Sequence, residues 1–115
     1  MMRELRERGL LDTTLVVWMG EFGRTPQINP NTGRDHFPGA WTTVLGGAGI
    51  RTGQVVGDTG RDGVAVVSRP VTVPEFYATL CAALGIDHAK ENFTPQGRPI
   101  ALVDKGGKPI GELVG

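Results

Sequence analysis

The first strong hydrophobic segment of the chain is "TLVVWM", which runs from Thr14 to Met19. Its apolar positions are continuous rather than alternating, and β-branched residues are frequent among them. Continuous runs of this length and composition are typical of strands that are covered on both faces. The pattern therefore predicts a buried central strand that ends just before Gly20 and Glu21.

Helical periodicity is clearest in the segment "PEFYATLCAALGI". Its proline suits a first helical turn, the glutamate beside it favours the positive end of the helix dipole, and the final glycine suits a helix end. Apolar residues recur at the spacing of one helix face. We predict a helix from Pro74 to Gly85 whose apolar face consists of Phe76, Leu80, Ala83 and Leu84.

The amino-terminal residues predict a second, shorter helical segment. Met1 to Arg8 has the pattern of a helix end, with Leu5 as its apolar contact and Gly9 as its stop. A helix, a brief turn and a buried strand make up half of a βαβ unit. Since no strand precedes this helix, we expect the chain to begin within a larger domain.

The other apolar segments have the pattern of strands and turns. Ala40 to Ile50 predicts a short strand that runs into a glycine-rich turn rather than a phosphate-binding loop, because no P-loop lysine follows. Gly53 to Val73 predicts two β pieces separated by a turn around Asp58–Gly63. The carboxy-terminal segment, 98–115, predicts a hairpin that turns at Lys105, Gly106 and Gly107.

Composition narrows the functional classes. The 115 residues include 39% hydrophobic and 21% charged residues, which is an ordinary globular balance for one domain. Twelve basic residues match twelve acidic ones, so no net charge draws the chain to nucleic acid. No apolar run approaches the length of a membrane span. Cys81 is the single cysteine, which excludes an internal disulfide and favours a buried thiol. Eighteen glycines and eight prolines predict many ordered loops and turns.

The candidate functional residues follow the end of the first predicted strand. In open α/β sheets, ligands bind outside the carboxyl ends of the strands, and Glu21 stands at such an end. A loop rich in Gly, Pro and Asn then leads to Asp35 and His36. Two carboxylates and an imidazole are suitable ligands for a divalent ion such as zinc or manganese. The neighbouring Arg24 and Arg34 are candidates to bind a phosphate or sulfate group.

The same residues could instead have purely structural roles. Glu21 and Arg24 could pair across a turn, and Asp35 could cap the segment "HFPGAW" or accept hydrogen bonds from backbone N–H groups. His36 could be a loop histidine that is hydrogen-bonded to a carbonyl. The spacing alone does not separate these roles from a metal site, because it matches none of the specific zinc motifs.

The motifs "GEFGRTP" and "GRDHF", together with "AWTTVLGGAGIRTGQVVG" and "GRPIALVDKGGKPIGEL", add a resemblance. Nearly the whole chain resembles the carboxy-terminal portion of a bacterial sulfatase-like family, catalogued as domain of unknown function 1501. Members of that family look like relatives of the alkaline phosphatase superfamily. The resemblance implies an α/β fold, in which this chain is the carboxy-terminal fragment of a three-layer α/β/α sandwich with metal ions at the strand ends.

The resemblance also implies roles for individual residues. In the superfamily, a strand near this point ends in Asp-His-Gly and a later loop supplies another histidine. Here Glu21 stands where the aspartate ligand would be, and His36, with Asp35 beside it, corresponds to the later histidine. Phe22 occupies the place of the first histidine and cannot replace its imidazole. The superfamily's nucleophile belongs to an earlier part of the domain, and Cys81 is no candidate for it.

These observations lead to one main hypothesis and one alternative. The main hypothesis is that residues 1–115 form a single partial domain of a metal-dependent phosphate- or sulfate-ester hydrolase that is inactive alone. Glu21, Asp35 and His36 would bind Zn, Mn or Ca, and Arg24 or Arg34 would neutralise the anionic group of a small-molecule or glycan ester. The alternative is a non-catalytic binding or structural module with a degenerate metal site. Either form would be prone to self-association through an exposed sheet edge.

Overall fold

The computed structural model describes residues 1–115 as a set of two helices and short strands. The strands form four two-stranded sheets, in which β1 pairs with β4, β2 with β3, β5 with β6 and β7 with β8. A short 3₁₀ turn covers Leu11–Thr13. The elements in chain order are α1 (Met2–Glu7), β1 (Val16–Trp18), β2 (Gly23–Arg24), β3 (His36–Phe37), β4 (Val44–Gly46), β5 (Asp58–Thr59), β6 (Val66–Ser68), α2 (Val73–Ala83), β7 (Glu91–Phe93) and β8 (Pro99–Ala101).

This mixture of helices and short strand pairs is consistent with the predicted α/β class. The three-layer sandwich and the single partial domain stay predictions. Neither helix is long and apolar enough to cross a membrane. The chain divides into two compact units. We call Met1–Val16, Gly46–Gln54 and Val71–Gly115 the helix unit, and Val17–Leu45 and Val55–Pro70 the hairpin unit.

Helix α2 forms where the sequence predicted it, and Phe76 is buried as predicted, whereas Leu84 is 53% exposed and the buried residues also include Ala78, Thr79 and Cys81. Thr72 is its N-cap: the Thr72 hydroxyl accepts a hydrogen bond from the Glu75 N–H, and the Glu75 carboxylate accepts one from the Thr72 N–H. This reciprocal pair is a capping box, which satisfies donors that a helix start leaves free. Pro74 lies in the first turn, and Gly85 follows the helix end with a φ of +69°. Local signals alone therefore determine both helix ends.

The buried core of the helix unit lies against α2. Ala78, Cys81 and Val103 form an apolar cluster, which confirms Cys81 as a buried free thiol. Thr79 is fully buried, and its hydroxyl donates to the Glu75 carbonyl at 2.7 Å. The same hydroxyl accepts from the Ile110 N–H at 2.9 Å. One buried hydroxyl thereby ties the carboxy-terminal segment to the helix.

The carboxy-terminal hairpin differs from the prediction. β8 pairs with β7 in antiparallel register, and the turn between them lies at Thr94–Arg98 rather than at Lys105–Gly107. The Thr94 hydroxyl accepts from the Arg98 N–H at 3.0 Å, and Gly97 adopts a φ of +79°. The Gly107 N–H does bond to the Asp104 carbonyl. That turn joins no paired strands, so the predicted hairpin over 98–115 was wrong.

The amino-terminal part of the helix unit agrees with the prediction in its main features. α1 covers Met2–Glu7, and Gly9 follows it with a φ of +67°. The predicted glycine-rich turn follows β4, and the Ala48 N–H bonds there to the Leu11 carbonyl at 3.0 Å. The segment is a turn, as the sequence indicated.

Strand β1 forms within the predicted segment, but its burial was predicted wrongly. Val17 is 37% exposed and Trp18 is 77% exposed, so these side chains are not covered on both faces. A continuous apolar run indicates a strand, but it does not reveal which neighbours cover it. The prediction of a covered central strand is therefore wrong for these residues.

The predicted hairpin between Gly53 and Val73 is confirmed as β5–β6, but its turn lies a few residues later than predicted. β5 and β6 are antiparallel, with Asp58 opposite Ser68. The predicted turn region supplies the first strand itself, and the turn begins at Gly60, whose N–H bonds to the Ala65 carbonyl.

Candidate functional site

The predicted site residues lie on and around the β2–β3 hairpin. The two strands are antiparallel, with Gly23 opposite Phe37 and Arg24 opposite His36. Directly opposed residues of an antiparallel pair lie on the same face. The fold therefore places the guanidinium-bearing and imidazole-bearing residues side by side, although eleven positions of chain separate them in the sequence.

Gly23 explains why the hairpin can form here. A Cβ at this position would overlap the carbonyl oxygen of Ala40 and would lie 2.9 Å from the carbonyl oxygen of Phe37. The backbone that follows β3 thus passes directly against Gly23, and only glycine allows this approach. Strand alternation then places Arg24 on the opposite face from this contact.

The loop between β2 and β3 is ordered by hydrogen bonds to its own backbone. The Thr25 N–H donates to the Asp35 carbonyl at 3.0 Å, and the Asp35 N–H donates to the Thr25 hydroxyl at 3.1 Å. Inside the loop, the side-chain oxygen of Asn29 accepts from the N–H groups of Asn31 and Gly33, each at 3.0 Å. These bonds form an Asx-type turn and close the loop without a buried core.

The Asp35 carboxylate is exposed, and a specific partner orients it. The side-chain amide of Asn29 donates to the Asp35 Oδ1 at 2.8 Å. Asn29 therefore links the turn inside the loop to the candidate ligand. The second carboxylate oxygen has no hydrogen bond to the protein, so it can accept from or bind another group.

His36 is exposed, and its imidazole contacts an aromatic ring. The ring centroids of His36 and Phe22 are 3.9 Å apart, with 36° between the ring planes. No carbonyl of the chain accepts a hydrogen bond from the imidazole. The structural alternative for this residue, a loop histidine that is hydrogen-bonded to a carbonyl, is therefore not what the structure shows.

The two arginines have different surroundings. Arg34 donates from one guanidinium nitrogen to the carbonyls of Thr25, at 2.7 Å, and Pro26, so its side chain holds the loop. Arg24 donates one bond to the Arg34 carbonyl at 3.3 Å, and its guanidinium carbon lies 5.4 Å from the centre of the Phe22 ring. Arg24 is thus the exposed cation beside His36, while Arg34 is engaged with backbone.

Glu21 is exposed and lies two residues before β2. Its carboxylate has no hydrogen bond or ion pair, so the alternative of a Glu21–Arg24 pair is not what the structure shows. No three His, Cys, Asp or Glu side chains are grouped closely enough to hold a metal ion. A catalytic zinc usually takes three protein ligands. The residues of this chain therefore do not form the predicted three-ligand set by themselves, although Asp35 and His36 are consecutive in the sequence.

Two residues of this region were not predicted as contributors. Asn29 could have been found, because "NPNTG" has the composition of an Asx turn. Phe22 was interpreted only as the replacement of a histidine. Its contacts with His36 and Arg24 depend on strand register, which the sequence pattern does not specify.

A surface groove lies elsewhere, in the helix unit. Its volume is about 200 Å³, and it contains none of the predicted site residues. The groove is mainly apolar, and it is lined by Val73, Pro74, Tyr77, Leu102, Val103 and Asp104. The candidate functional side chains therefore lie on and around the β2–β3 hairpin and not in this groove.

Comparison with known proteins places the chain in a family. Residues 1–114 match the family described as "Protein of unknown function (DUF1501)", and the chain belongs to this family. No curated protein and no solved structure matches the chain.

Proposed function

We propose that this member of the DUF1501 family contributes one side of the active site of a metal-dependent phosphate- or sulfate-ester hydrolase. The proposal includes the three-layer sandwich of the alkaline phosphatase superfamily as the complete fold. The observation that supports it is the exposed Asp35–His36 pair beside Arg24 on an ordered hairpin. Carboxylate and imidazole are suitable ligands for a divalent ion, and guanidinium binds tetrahedral oxyanions.

Each residue of the hairpin has a definite task in this proposal. Asp35 and His36 bind a divalent ion, Zn, Mn or Ca, whose charge polarises the ester group. Arg24 neutralises charge that develops on the oxyanion. Asn29 orients the Asp35 carboxylate, as partners of metal ligands commonly do. Arg34 holds the loop, Glu21 is the candidate third ligand, and the nucleophile comes from outside residues 1–115.

Among the three candidate ligands, Glu21 has the least structural support. Its carboxylate is not grouped with the other two candidates. Metal content measured by mass spectrometry on full-length protein, purified without chelator, tests all three. We expect His36→Ala and Asp35→Asn to lower the bound metal, and Glu21→Gln to lower it less. Unchanged metal content in His36→Ala would refute the assignment of His36.

A non-catalytic binding module is the second candidate. The observation that favours it is that this chain groups no complete ligand set. In this case the same exposed cluster binds an anionic glycan or a partner chain without turnover. Aryl phosphates and aryl sulfates separate the two candidates. Metal-dependent hydrolysis of any of them by full-length protein supports the enzyme, and its absence from all of them supports the module.

A further inference from the structure

The Phe22 ring contacts two functional side chains at once. It lies 3.9 Å, between centroids, from the imidazole of His36 and 5.4 Å from the guanidinium carbon of Arg24. Arg24 and His36 are opposed in the antiparallel pair. Phe22 lies directly before β2, and its ring reaches both side chains of this opposed pair. Three side chains therefore meet on one face of the hairpin.

We propose that Phe22 is a positioning residue, whose ring orders the Arg24 guanidinium to face a tetrahedral oxyanion and the His36 imidazole to bind the divalent ion. The inference rests on the proposed function for what the two groups bind, but the ring contact stands independently of it. In the sequence, Phe22 only marked a missing histidine. In the structure, it is the one aromatic ring in contact with both candidate groups.

The physical reason lies in the freedom of exposed side chains. Arg24 and His36 are both exposed, and long polar side chains on a surface sample many rotamers. A guanidinium near an aromatic face gains attraction from the ring, and an imidazole stacks on the same ring. Gly23 adds to this arrangement, because the backbone against it keeps the opposite face of β2 closed. The side chains that carry charge are thereby ordered on the open face.

Proton NMR tests the ring contact directly. The chain has two histidines, so His88 serves as an internal reference for His36. At one fixed pH, we expect the His36 ring protons to lie upfield of those of His88 and to show nuclear Overhauser contacts to the Phe22 ring. Phe22→Leu should remove the upfield shift, whereas Phe22→Tyr should retain it. Phe93→Leu is the matched control, because Phe93 is 67% exposed on another hairpin.

Titration with inorganic phosphate and with sulfate tests what the contact does. We expect Phe22→Leu to weaken the anion-induced shifts of the Arg24 resonances, with an apparent Kd about two- to fivefold higher, which corresponds to one exposed cation–π contact. Phe93→Leu should leave the Kd unchanged.

Two results would overturn the proposal, and they differ from those that test the proposed function. The first is a His36 signal in the unmodified chain that matches His88 and lacks contacts to Phe22. The second is an unchanged Kd in Phe22→Leu with native signals elsewhere. If unmodified full-length protein binds no metal or hydrolyses no ester, the proposed function is refuted, but the ring contact is unaffected.

Discussion

In the helix unit, buried apolar side chains lie against α2, whereas in the hairpin unit the loop between β2 and β3 is held mainly by hydrogen bonds. Among the buried apolar residues, Ala40 alone belongs to the hairpin unit. A functional loop must keep its polar groups accessible, so it cannot be ordered by burying them. Order in this chain therefore has two sources, apolar burial and hydrogen bonding, and the candidate site depends on hydrogen bonding.

The largest expected effect lies in the core of the helix unit. Phe76 is 8% exposed on the buried face of α2, and Phe76→Ala should reduce the free energy of unfolding by about 3–5 kcal/mol through lost burial and a cavity. Urea denaturation followed by circular dichroism measures this loss. Phe93→Ala is the control, since Phe93 is largely exposed and should change stability by less than about 0.5 kcal/mol. Equal effects of the two changes would contradict the assignment of the core.

The next effect concerns a buried polar contact of the helix unit, between Thr79 and Ile110. Thr79→Val keeps the side-chain shape but leaves the buried Ile110 N–H without its acceptor. An unsatisfied buried donor costs about 1–3 kcal/mol, which the same denaturation would detect. Thr52→Val, at an exposed position without a hydrogen bond, is the matched control. A neutral Thr79→Val would mean that the carboxy-terminal segment does not depend on this hydroxyl.

A comparable effect is expected at the backbone contact of the hairpin unit. Gly23→Ala places a methyl group against the Ala40 carbonyl, and overpacking of this kind costs about 1–3 kcal/mol. Faster hydrogen exchange of the Thr25 N–H, which bonds to Asp35, would report the weakened hairpin. Gly111→Ala has open space around it and should leave this exchange unchanged. If both variants exchange like the unmodified chain, the close approach at Gly23 does not exist.

The smallest effect tests the polar order of the loop. Asn29→Ala removes the acceptor of the Asn31 and Gly33 N–H groups and the donor to Asp35, at a cost of about 1 kcal/mol. Exchange of these two N–H groups should accelerate by a factor of about 5. Asn31→Ala is the control, because the Asn31 side chain forms no hydrogen bond. Protection that survives in Asn29→Ala would show that the loop is ordered by something other than this turn.

Local signals explain what could be predicted. Both ends of α2 follow from Thr72, Pro74, Glu75 and Gly85, which act within one turn of the chain. The glycine-rich turn and the β5–β6 hairpin were predicted for similar reasons. For the candidate site, the adjacency of Asp35 and His36 was evident in the sequence, as was the proximity of Arg24 to the first strand.

Predictions failed where the outcome depended on distant residues. The carboxy-terminal hairpin was wrong because two turns compete there, and only pairing with Glu91–Phe93 selects the one after Thr94. The burial of Val17 and Trp18 was wrong because an apolar run does not say what covers it. The roles of Glu21, Asp35 and His36 as metal ligands stay predictions, because no local rule places these side chains and no three such groups lie together in this chain.

The sequence by itself determined the elements whose signals lie within a few residues, together with the inventory of carboxylate, imidazole and guanidinium groups along the "GEFGRTP" and "GRDHF" motifs. Only the tertiary structure decided which of these groups meet. Strand register brings Arg24 beside His36, the passage of the Ala40 carbonyl requires Gly23, and the ring of Phe22 contacts both of these candidate side chains. The physical reason is that caps and turns are settled by hydrogen bonds over one or two turns of chain, whereas register and side-chain contact arise when separated segments pack together.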